Sequence, residues 1–506
     1  MLGVSVKDMK KKFIIEGAHA KNLLALLGFS FFYVLPIILF HTCFNDDLGI
    51  TLHGVTGLNG DGRPLGQSLS NLLSGGGIIA DIGPLPLLCS ILILSYSLVL
   101  YAKENISFSE NNILLSFVLL LILTNPLSMS ILFYRTGGFV MITALSIPFF
   151  LFSLNDEITA WMLVILAFAS GIVIMSLYQA AFGMCLVLVC VNIVFWLLQD
   201  KCRVKNDIMR LIGLFLGAVV YMAFIMPRYI DPEGWRHEAS KTVSGISLET
   251  IKTFLLNIWN STFYIIDYLR SLSKVSKICL GIFVITAWGY SLYLGYSKTK
   301  TNKKKCVLTV LILAAAPCVT AVISYLPLAI LSSLDIKCRI FIALSGTLLY
   351  LGIFMLEFSK KNKVIVAVIL SGYLISQFSC MYSYANTVKN EAEYEKYLAY
   401  SIAHDIETIN AENEYQTFSF SGVAPRSRKY ELIRQKYSFY DEIVPRYFSN
   451  DTWIGAAWLL PYLQENIRNE ALNESDQVAI DNNEPVLSNS VYSCYVNEGK
   501  IIVAFR

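Results

Sequence analysis

Long apolar stretches recur along this chain and constrain its fold more than any other feature. A helix that crosses a bilayer needs about 20 predominantly apolar residues, and about eleven windows of the sequence approach that length. The windows lie approximately at 23–42, 83–101, 112–130, 139–154, 158–175, 177–198, 208–227, 278–296, 306–330, 339–358 and 364–382. Two windows are short and one pair is nearly contiguous. The sequence therefore predicts a mainly α, polytopic membrane helix bundle with about nine to eleven spans.

The composition and the charge distribution agree with a membrane protein. Hydrophobic residues make up 55% of the chain, charged residues 15%, and the mean hydropathy is +0.56, which leaves too much apolar surface for a soluble globule. Lysines and arginines cluster at 7–21, 201–210, 298–305 and 360–363, and such clusters mark cytoplasmic flanks. With a cytoplasmic N-terminus, eleven spans place all four clusters inside and the C-terminal tail outside. Lys303 is then predicted inside, and Asn260 and Asn450 outside.

The composition changes after Tyr382, which indicates a second domain. The tail from Asn386 onward holds 18 of the 37 acidic residues and no apolar run of spanning length. Residues 391–409 have apolar side chains at helical spacing, and 416–420 and 500–505 have the pattern of strands. The predicted parts are a membrane region, 1–382, with outer loops 43–82 and 228–277, and a small α+β domain, 383–506.

The first apolar window is followed by two adjacent carboxylates, Asp46 and Asp47. Charge at a membrane boundary marks either hydrated surface or a working site. A carboxylate partly buried against apolar helices can act as a general base, and the alternative is a polar cap at a helix end. The same loop also contains Asp61, Arg63 and Asp81, which favours the functional interpretation. Between them, 65–79 has the pattern of an interfacial helix.

Arginines stand at several predicted outer helix ends, where they can hold an anion. The planar guanidinium suits bidentate contact with phosphate, so a lipid-linked phosphate is a natural partner. The alternative is an arginine that reaches lipid headgroups. The candidates are Arg63, Arg135, Arg228 and Arg339, and the polar residues near helix ends are Asn125, Tyr134, Tyr178 and Gln179. The last two join apolar helices with almost no loop, so they must bond neighbouring backbone or line a wet cavity.

Several common functional motifs are missing from the sequence. The five histidines are scattered without metal-ligand spacing, and the eleven cysteines show no paired spacing. Neither a phosphate-binding loop nor a dinucleotide fingerprint occurs in a suitable context. We therefore predict no metal, no cofactor and no nucleic-acid partner. The N-terminal apolar segment lacks a small-residue cleavage site, so we interpret it as a retained helix and not as a signal peptide.

An ordered series of motifs resembles one known family. The series is Phe44-Asn45-Asp46-Asp47-Leu48-Gly49, Gly54-Val55-Thr56-Gly57, Asp61-Gly62-Arg63-Pro64-Leu65, Asp81-Ile82-Gly83-Pro84-Leu85-Pro86, Asn125-Pro126, Tyr134-Arg135 and Ser176-Leu177-Tyr178-Gln179. It resembles the bacterial serotype-converting O-antigen glucosyltransferases of the Gtr type II family, over most of the membrane region. Two charges that the family often carries are replaced here by Ile50 and by Thr136-Gly137-Gly138.

The resemblance implies an inner-membrane, multi-pass, GT-C-type glucosyltransferase whose active site and C-terminal domain are periplasmic. The implied partners are a polyprenyl-phosphate-glucose donor, an O-antigen glycan of lipopolysaccharide as acceptor, and membrane lipids. Transfer would be inverting and independent of metal, with Asp46 or Asp47 as the base. Asp47 is slightly preferred because it lies farther from the membrane helix. Arg135 is the first candidate for the donor phosphate, ahead of Arg63 and Arg339. The predicted substrate-binding residues are Asp61, Asp81, Asn125, Tyr134, Tyr178, Gln179 and Arg228.

Two other functional classes stay open. One is a different GT-C sugar transfer or an O-antigen polymerase. The other is a non-enzymatic flippase of lipid-linked sugar, which also needs outward polar groups but should show charge on both membrane faces and an internal repeat. No internal repeat is visible in the sequence.

Overall fold

The structure is a computed structural model, and it describes residues 13–40, 42–106, 113–154, 158–199, 204–230, 233, 241, 247–412, 414–449, 453–463 and 467–506. The chain divides into two compact units. The first comprises the described residues of Met1–Ile38, Thr56–Gly77 and Ile82–Met381. The second comprises those of Leu39–Val55, Ile78–Asp81 and Tyr382–Arg506. Asp46 and Asp47 therefore belong to the same unit as the C-terminal residues.

Helices dominate the described chain. They are α1 (Gly17–Phe40), α2 (Asp47–His53), α3 (Pro64–Leu73), α4 (Leu85–Asn105), α5 (Ile113–Leu120), α6 (Gly137–Ser153), α7 (Ala160–Leu177), α8 (Phe182–Gln199), α9 (Val204–Val220), α10 (Leu248–Ser271), α11 (Lys274–Thr299), α12 (Lys303–Tyr325), α13 (Ser345–Ile409), α14 (Arg428–Arg434), α15 (Tyr440–Ile443), α16 (Trp453–Leu459) and α17 (Glu474–Asn482). Helix α13 is interrupted by non-helical backbone at Asn362, between the last two apolar windows.

Seven helical stretches within the described residues are long and apolar enough to cross a membrane. They are Gly17–Phe40, Leu85–Asn105, Ala160–Leu177, Val204–Arg228, Lys274–Thr299, Lys303–Ile330 and Cys338–Ile409. Gly137–Ser153 and Gln179–Phe195 are shorter apolar helices. The predicted fold class, a polytopic helical membrane protein with a small C-terminal sheet, is confirmed.

The apolar window 112–130 was expected to form one continuous helix, and this was wrong. Helix α5 ends at Leu120, and the chain resumes as a 3-10 helix over Pro126–Phe133. Proline lacks a backbone N–H and biases the residue before it toward extended backbone, and Asn125 has φ −65° and ψ 121°. The Asn125 side chain accepts a hydrogen bond from the Leu127 N–H at 3.2 Å and so caps the 3-10 helix.

Helices α7 and α9 pack closely because glycines line their contact. A Cβ atom on Gly171, Gly213 or Gly217 would come within 3.0 Å of a carbonyl oxygen on the opposing helix. Glycines 213 and 217 are four residues apart, the small-residue spacing that lets membrane helices approach closely. Backbone proximity here depends on the absence of side chains.

Helix α10 lies where the sequence predicted only a long outer loop, 228–277. It begins after Ser247, whose side chain accepts a hydrogen bond from the Thr250 N–H at 3.1 Å. The buried Asn257 amide donates to the carbonyl groups of Ala329 and Leu331 at 3.0 and 2.8 Å. Polar residues on this face keep α10 below the hydropathy of the apolar windows, which is why the pattern did not reveal it.

A mixed sheet forms part of the second unit. Its strands are β1 (Thr417–Ser421), β2 (Arg468–Asn469), β3 (Leu487–Ser488), β4 (Tyr492–Asn497) and β5 (Lys500–Phe505), in the order β2-β1-β5-β4-β3. Strand β1 pairs parallel with β5, and β4 and β5 form an antiparallel hairpin. Apolar residues of α13 and of the strands form one buried core, including Ile402, Phe418 and Val503. The strands predicted near 416–420 and 500–505 and the amphipathic helix that ends at Ile409 are confirmed.

Candidate active site

Asp46 and Asp47 stand at the start of α2 in the second unit. Asp47 is the first residue of α2 and is 2% exposed. Its Oδ2 atom accepts a hydrogen bond from the Phe44 N–H at 3.1 Å. Asp46 is half-buried, and its side chain does not cap the helix. Asp47, the residue that the sequence slightly favours as the base, is therefore held inside the turn.

The backbone that leads into the acidic pair contacts the C-terminal part of the same unit. Asn45 has φ +52°, in the left-handed region that asparagine tolerates better than most residues. Its N–H donates to the Tyr447 hydroxyl oxygen at 3.3 Å, and the Tyr447 hydroxyl donates to the Cys43 carbonyl at 3.4 Å. No sequence pattern singled out Tyr447, which is 402 positions from Asn45.

In the first unit, residues 61–65 form a tight turn into α3. Gly62 has φ +73°, and a Cβ there would meet the Tyr221 hydroxyl at 3.0 Å. Pro64 occupies the first turn of α3, where a missing N–H has no intrahelical partner to lose. Arg63 has non-helical backbone, and its Nη1 atom lies 3.7 Å from Oδ2 of Asp61. The turn therefore projects Arg63 from the start of the helix, beside a carboxylate.

Two arginine–tyrosine pairs lie together in the first unit. The Arg63 guanidinium lies 5.1 Å from the centroid of the Tyr178 ring. The Arg339 guanidinium lies 5.6 Å from the centroid of the Tyr134 ring and donates to the Tyr134 hydroxyl. The Tyr178 hydroxyl donates to the Arg339 carbonyl at 3.0 Å and so links the pairs. We call Arg63, Tyr134, Tyr178 and Arg339 the arginine–tyrosine cluster.

Gln179 and Tyr221 brace this cluster. The Gln179 amide donates to the Tyr221 hydroxyl at 2.9 Å, and that hydroxyl donates to the carbonyl of Gly62, next to Arg63. Tyr178 thus bonds a backbone carbonyl and Gln179 bonds a side-chain hydroxyl, while the lining of a wet cavity stays a prediction. Tyr221 was missed because it lies inside an apolar window.

The cluster is suited to an anion. A guanidinium stacked on an aromatic ring is held in a defined plane while its N–H edge can still donate. The Nε atom of Arg63 is buried and meets no hydrogen-bond acceptor among the described residues. Phosphate oxygens are the acceptors that match such a donor edge. Within the same described part of the chain, no three His, Cys, Asp or Glu side chains form a group suited to a metal ion.

The remaining predicted site residues are Asn125, Arg135, Arg228 and Asp81. The Asn125 side chain is buried and also donates to the Phe341 carbonyl at 3.4 Å, so its visible role is structural. Arg135 is half-buried, just before α6. Arg228 in the first unit and Asp81 in the second are exposed. Arg63 and Arg339, the two second-choice arginines, are linked to each other through Tyr178 and Tyr134.

Comparisons with known proteins bear on this geometry. The family described as Glucosyl transferase GtrII matches residues 35–356, a span that contains the acidic pair and the whole arginine–tyrosine cluster. The chain is also 25% identical, over 494 residues, to a Salmonella phage P22 protein described as an uncharacterized 55.3 kDa protein in the gtrB 5′ region. That similarity covers 95% of this chain and 97% of the phage protein. No solved structure matches the chain.

Proposed function

The chain belongs to the GtrII glucosyl transferase family, and we propose that it transfers glucose from polyprenyl-phosphate-glucose to the O-antigen of lipopolysaccharide. We place the proposed reaction at the periplasmic face of the inner membrane. The observation that carries the proposal is the arginine–tyrosine cluster, because paired guanidinium groups in a membrane protein suit a phosphate that a lipid presents. The apolar helices would receive the polyprenyl chain.

The proposed chemistry is a single displacement. A carboxylate takes the proton from an acceptor hydroxyl, and the hydroxyl oxygen attacks the anomeric carbon of glucose. The bond between that carbon and the phosphate oxygen breaks, and its electron pair leaves with the phosphate. One such step inverts the anomeric configuration. We assign the base to Asp46, since Asp47 is buried and its Oδ2 already accepts the Phe44 N–H.

Arg63 and Arg339 are proposed to hold the leaving phosphate. Negative charge grows on the phosphate oxygen as the glycosidic bond breaks, so fixed cations there stabilise the transition state more than the ground state. Asp61, 3.7 Å from Arg63, would orient the guanidinium. Two guanidinium groups provide the charge that a divalent cation provides in other transferases, which supports metal-independent transfer.

The donor assignment can be tested with purified protein in lipid nanodiscs. We expect labelled glucose to pass from polyprenyl-phosphate-glucose to an O-antigen glycan, with the rate unchanged by EDTA. UDP-glucose without the lipid donor should give no product. Transfer from UDP-glucose alone would contradict the proposal. So would movement of lipid-linked glucose across a vesicle bilayer without a new glycosidic bond, which indicates a flippase.

The same assay tests the base. Asp46→Asn is expected to lower kcat by about 10²- to 10⁴-fold, the usual contribution of general acid–base catalysis. Asp47→Asn is the matched control, because asparagine keeps an oxygen for the Phe44 N–H, and we expect it to retain most activity. Equal expression and thermal midpoints would show that both variants fold. Full activity of Asp46→Asn would refute its assignment as the base.

A further inference from the structure

Tyr447 joins the C-terminal part of the second unit to the loop that carries Asp46. Its hydroxyl makes two hydrogen bonds on either side of Phe44, accepting from the Asn45 N–H at 3.3 Å and donating to the Cys43 carbonyl at 3.4 Å. One side chain therefore fixes the backbone just before the acidic pair. Asn45, with its left-handed backbone, is the residue at which the chain turns toward Asp46.

Tyr447 is itself firmly held. It is 3% exposed, and its ring stacks on Trp458 of α16 with centroids 4.9 Å apart and an interplanar angle of 23°. Its backbone N–H donates to Oε1 of the buried Glu395 at 3.4 Å. Helix α16 also contacts α2, which begins at Asp47. The packing of the Tyr447 ring and its backbone hydrogen bond thus hold the hydroxyl in a fixed position.

The Tyr447 hydroxyl stays protonated at any ordinary pH, which suits this role. Burial raises the pKa of the Tyr447 hydroxyl well above its usual value, and the neighbouring carboxylates of Glu395 and Asp47 raise it further, although the Asn45 N–H acts in the opposite direction. The hydroxyl therefore stays protonated and remains a donor to the Cys43 carbonyl.

We propose that Tyr447 is a positioning residue for glucosyl transfer, whose hydroxyl holds the Cys43–Asn45 backbone so that the Asp46 carboxylate is presented in one orientation. This inference rests on the proposed function, since it takes Asp46 as the base. Correct placement of a catalytic group can contribute strongly to rate, and a displacement of about 1 Å can cost about 10²-fold. Loss of the two Tyr447 hydroxyl hydrogen bonds should therefore reduce kcat. The KM for the lipid donor should change little, because the donor phosphate is assigned to other residues.

The test compares Tyr447→Phe with Tyr492→Phe. Both substitutions remove one buried hydroxyl from the second unit and keep the ring. The Tyr492 hydroxyl donates to Oδ2 of Asp405 at 2.6 Å and does not contact the acidic loop in any described hydrogen bond. We expect Tyr447→Phe to lower kcat by about 10- to 100-fold with KM for polyprenyl-phosphate-glucose within about twofold. Tyr492→Phe should change kcat by less than about twofold, a much smaller effect because no reacting group depends on it.

Hydrogen exchange provides a readout that does not need activity. In Tyr447→Phe, peptides covering residues 43–47 should exchange several-fold faster than in the wild-type protein, and in Tyr492→Phe they should not. Unchanged exchange in Tyr447→Phe would show that the Tyr447 hydroxyl does not hold the Cys43–Asn45 backbone, even in an inactive preparation. Faster exchange with kcat equal to the control would overturn the positioning role. A wild-type protein in which residues 43–47 exchange slowly but which transfers no glucose would refute the proposed function instead.

Discussion

At the scale of single residues, the planar geometry of arginine is the property that the donor site is proposed to use. Lysine keeps the positive charge but loses both the bidentate fork and the stacking on a ring. We expect Arg63→Lys and Arg339→Lys each to lower kcat/KM for polyprenyl-phosphate-glucose by about 10- to 100-fold, with alanine variants lower still. Initial rates at varied donor and saturating acceptor would measure this.

The control for these variants is an arginine with an ordinary surface role. Arg270 is 74% exposed at its side chain and pairs with Asp267 at 3.1 Å, three residues earlier on α10. Arg270→Lys should leave donor kinetics unchanged, since exposed ion pairs contribute little. Arg135→Ala is the informative comparison, because Arg135 was the first candidate from sequence. If Arg135→Ala abolishes turnover while Arg63→Ala and Arg339→Ala turn over the donor normally, the phosphate site lies at Arg135.

At this scale, the sequence indicated which residues are candidates for the site better than it indicated which side chains they contact. Arg63, Tyr134, Tyr178 and Arg339 were all singled out because polar groups at helix ends are unusual in an apolar chain, yet nothing in the pattern paired them. Pairing depends on which loops the tertiary fold brings together. Asp47 illustrates the same limit, because its distance from the membrane helix favoured it as the base, and no sequence pattern indicated its burial or its bond to the Phe44 N–H.

At the scale of elements, glycines decide which helices can approach. Gly217→Ala is expected to destabilise the protein by about 1–3 kcal/mol, because its Cβ would press on the Phe168 carbonyl, and backbone cannot move aside cheaply. Gly281→Ala is the matched control on α11, where a Cβ meets nothing within 4 Å. Alanine is the better helix former, so Gly281→Ala should be neutral or slightly stabilising. Thermal midpoints in detergent measure both, and equal midpoints for the two variants would contradict the close packing of α7 on α9.

Apolar windows predicted the helices that are apolar on all sides, and failed for the others. The window 112–130 has the length of a span, but Pro126 ends helical hydrogen bonding and a 3-10 helix replaces the second half. Helix α10 was missed for the opposite reason, because its buried face is polar at Asn257 and Ser261. Hydropathy averages over a helix, so it cannot show which face packs on protein.

At the scale of the whole molecule, the composition break near Tyr382 predicted a separate C-terminal domain. It did not predict which earlier residues pack in the same unit. The second unit also includes Leu39–Val55 and Ile78–Asp81, which are hundreds of residues away in the chain. Contacts such as Asn45 with Tyr447 carry no local signal, since neither residue type nor spacing encodes them. The unit that holds the acidic pair therefore became visible only in three dimensions.

The direction of the chain across the membrane gives the last prediction. Helix α9 begins within the basic cluster 201–210, and α11 ends within the basic cluster 298–305. If both clusters are cytoplasmic, α9 runs outward and α11 runs inward, so both ends of α10 must lie outside. Its exposed side chains include Leu255, Trp259 and Phe263, spaced four residues apart, which is the apolar stripe of a helix that lies in the membrane interface.

Single cysteines in a cysteine-free background test this arrangement with a membrane-impermeant maleimide on whole cells. Leu248→Cys and Asp267→Cys, at exposed positions near the two ends of α10, should both be labelled from outside, and so should position 450, which lies outside the described residues. Lys303→Cys should be labelled only after the membrane is opened. Labelling of 248 and 267 from opposite sides would mean that α10 crosses the bilayer. One of the two basic clusters would then face outward. The predicted inside and outside loops would have to be exchanged for the part of the chain either before or after α10.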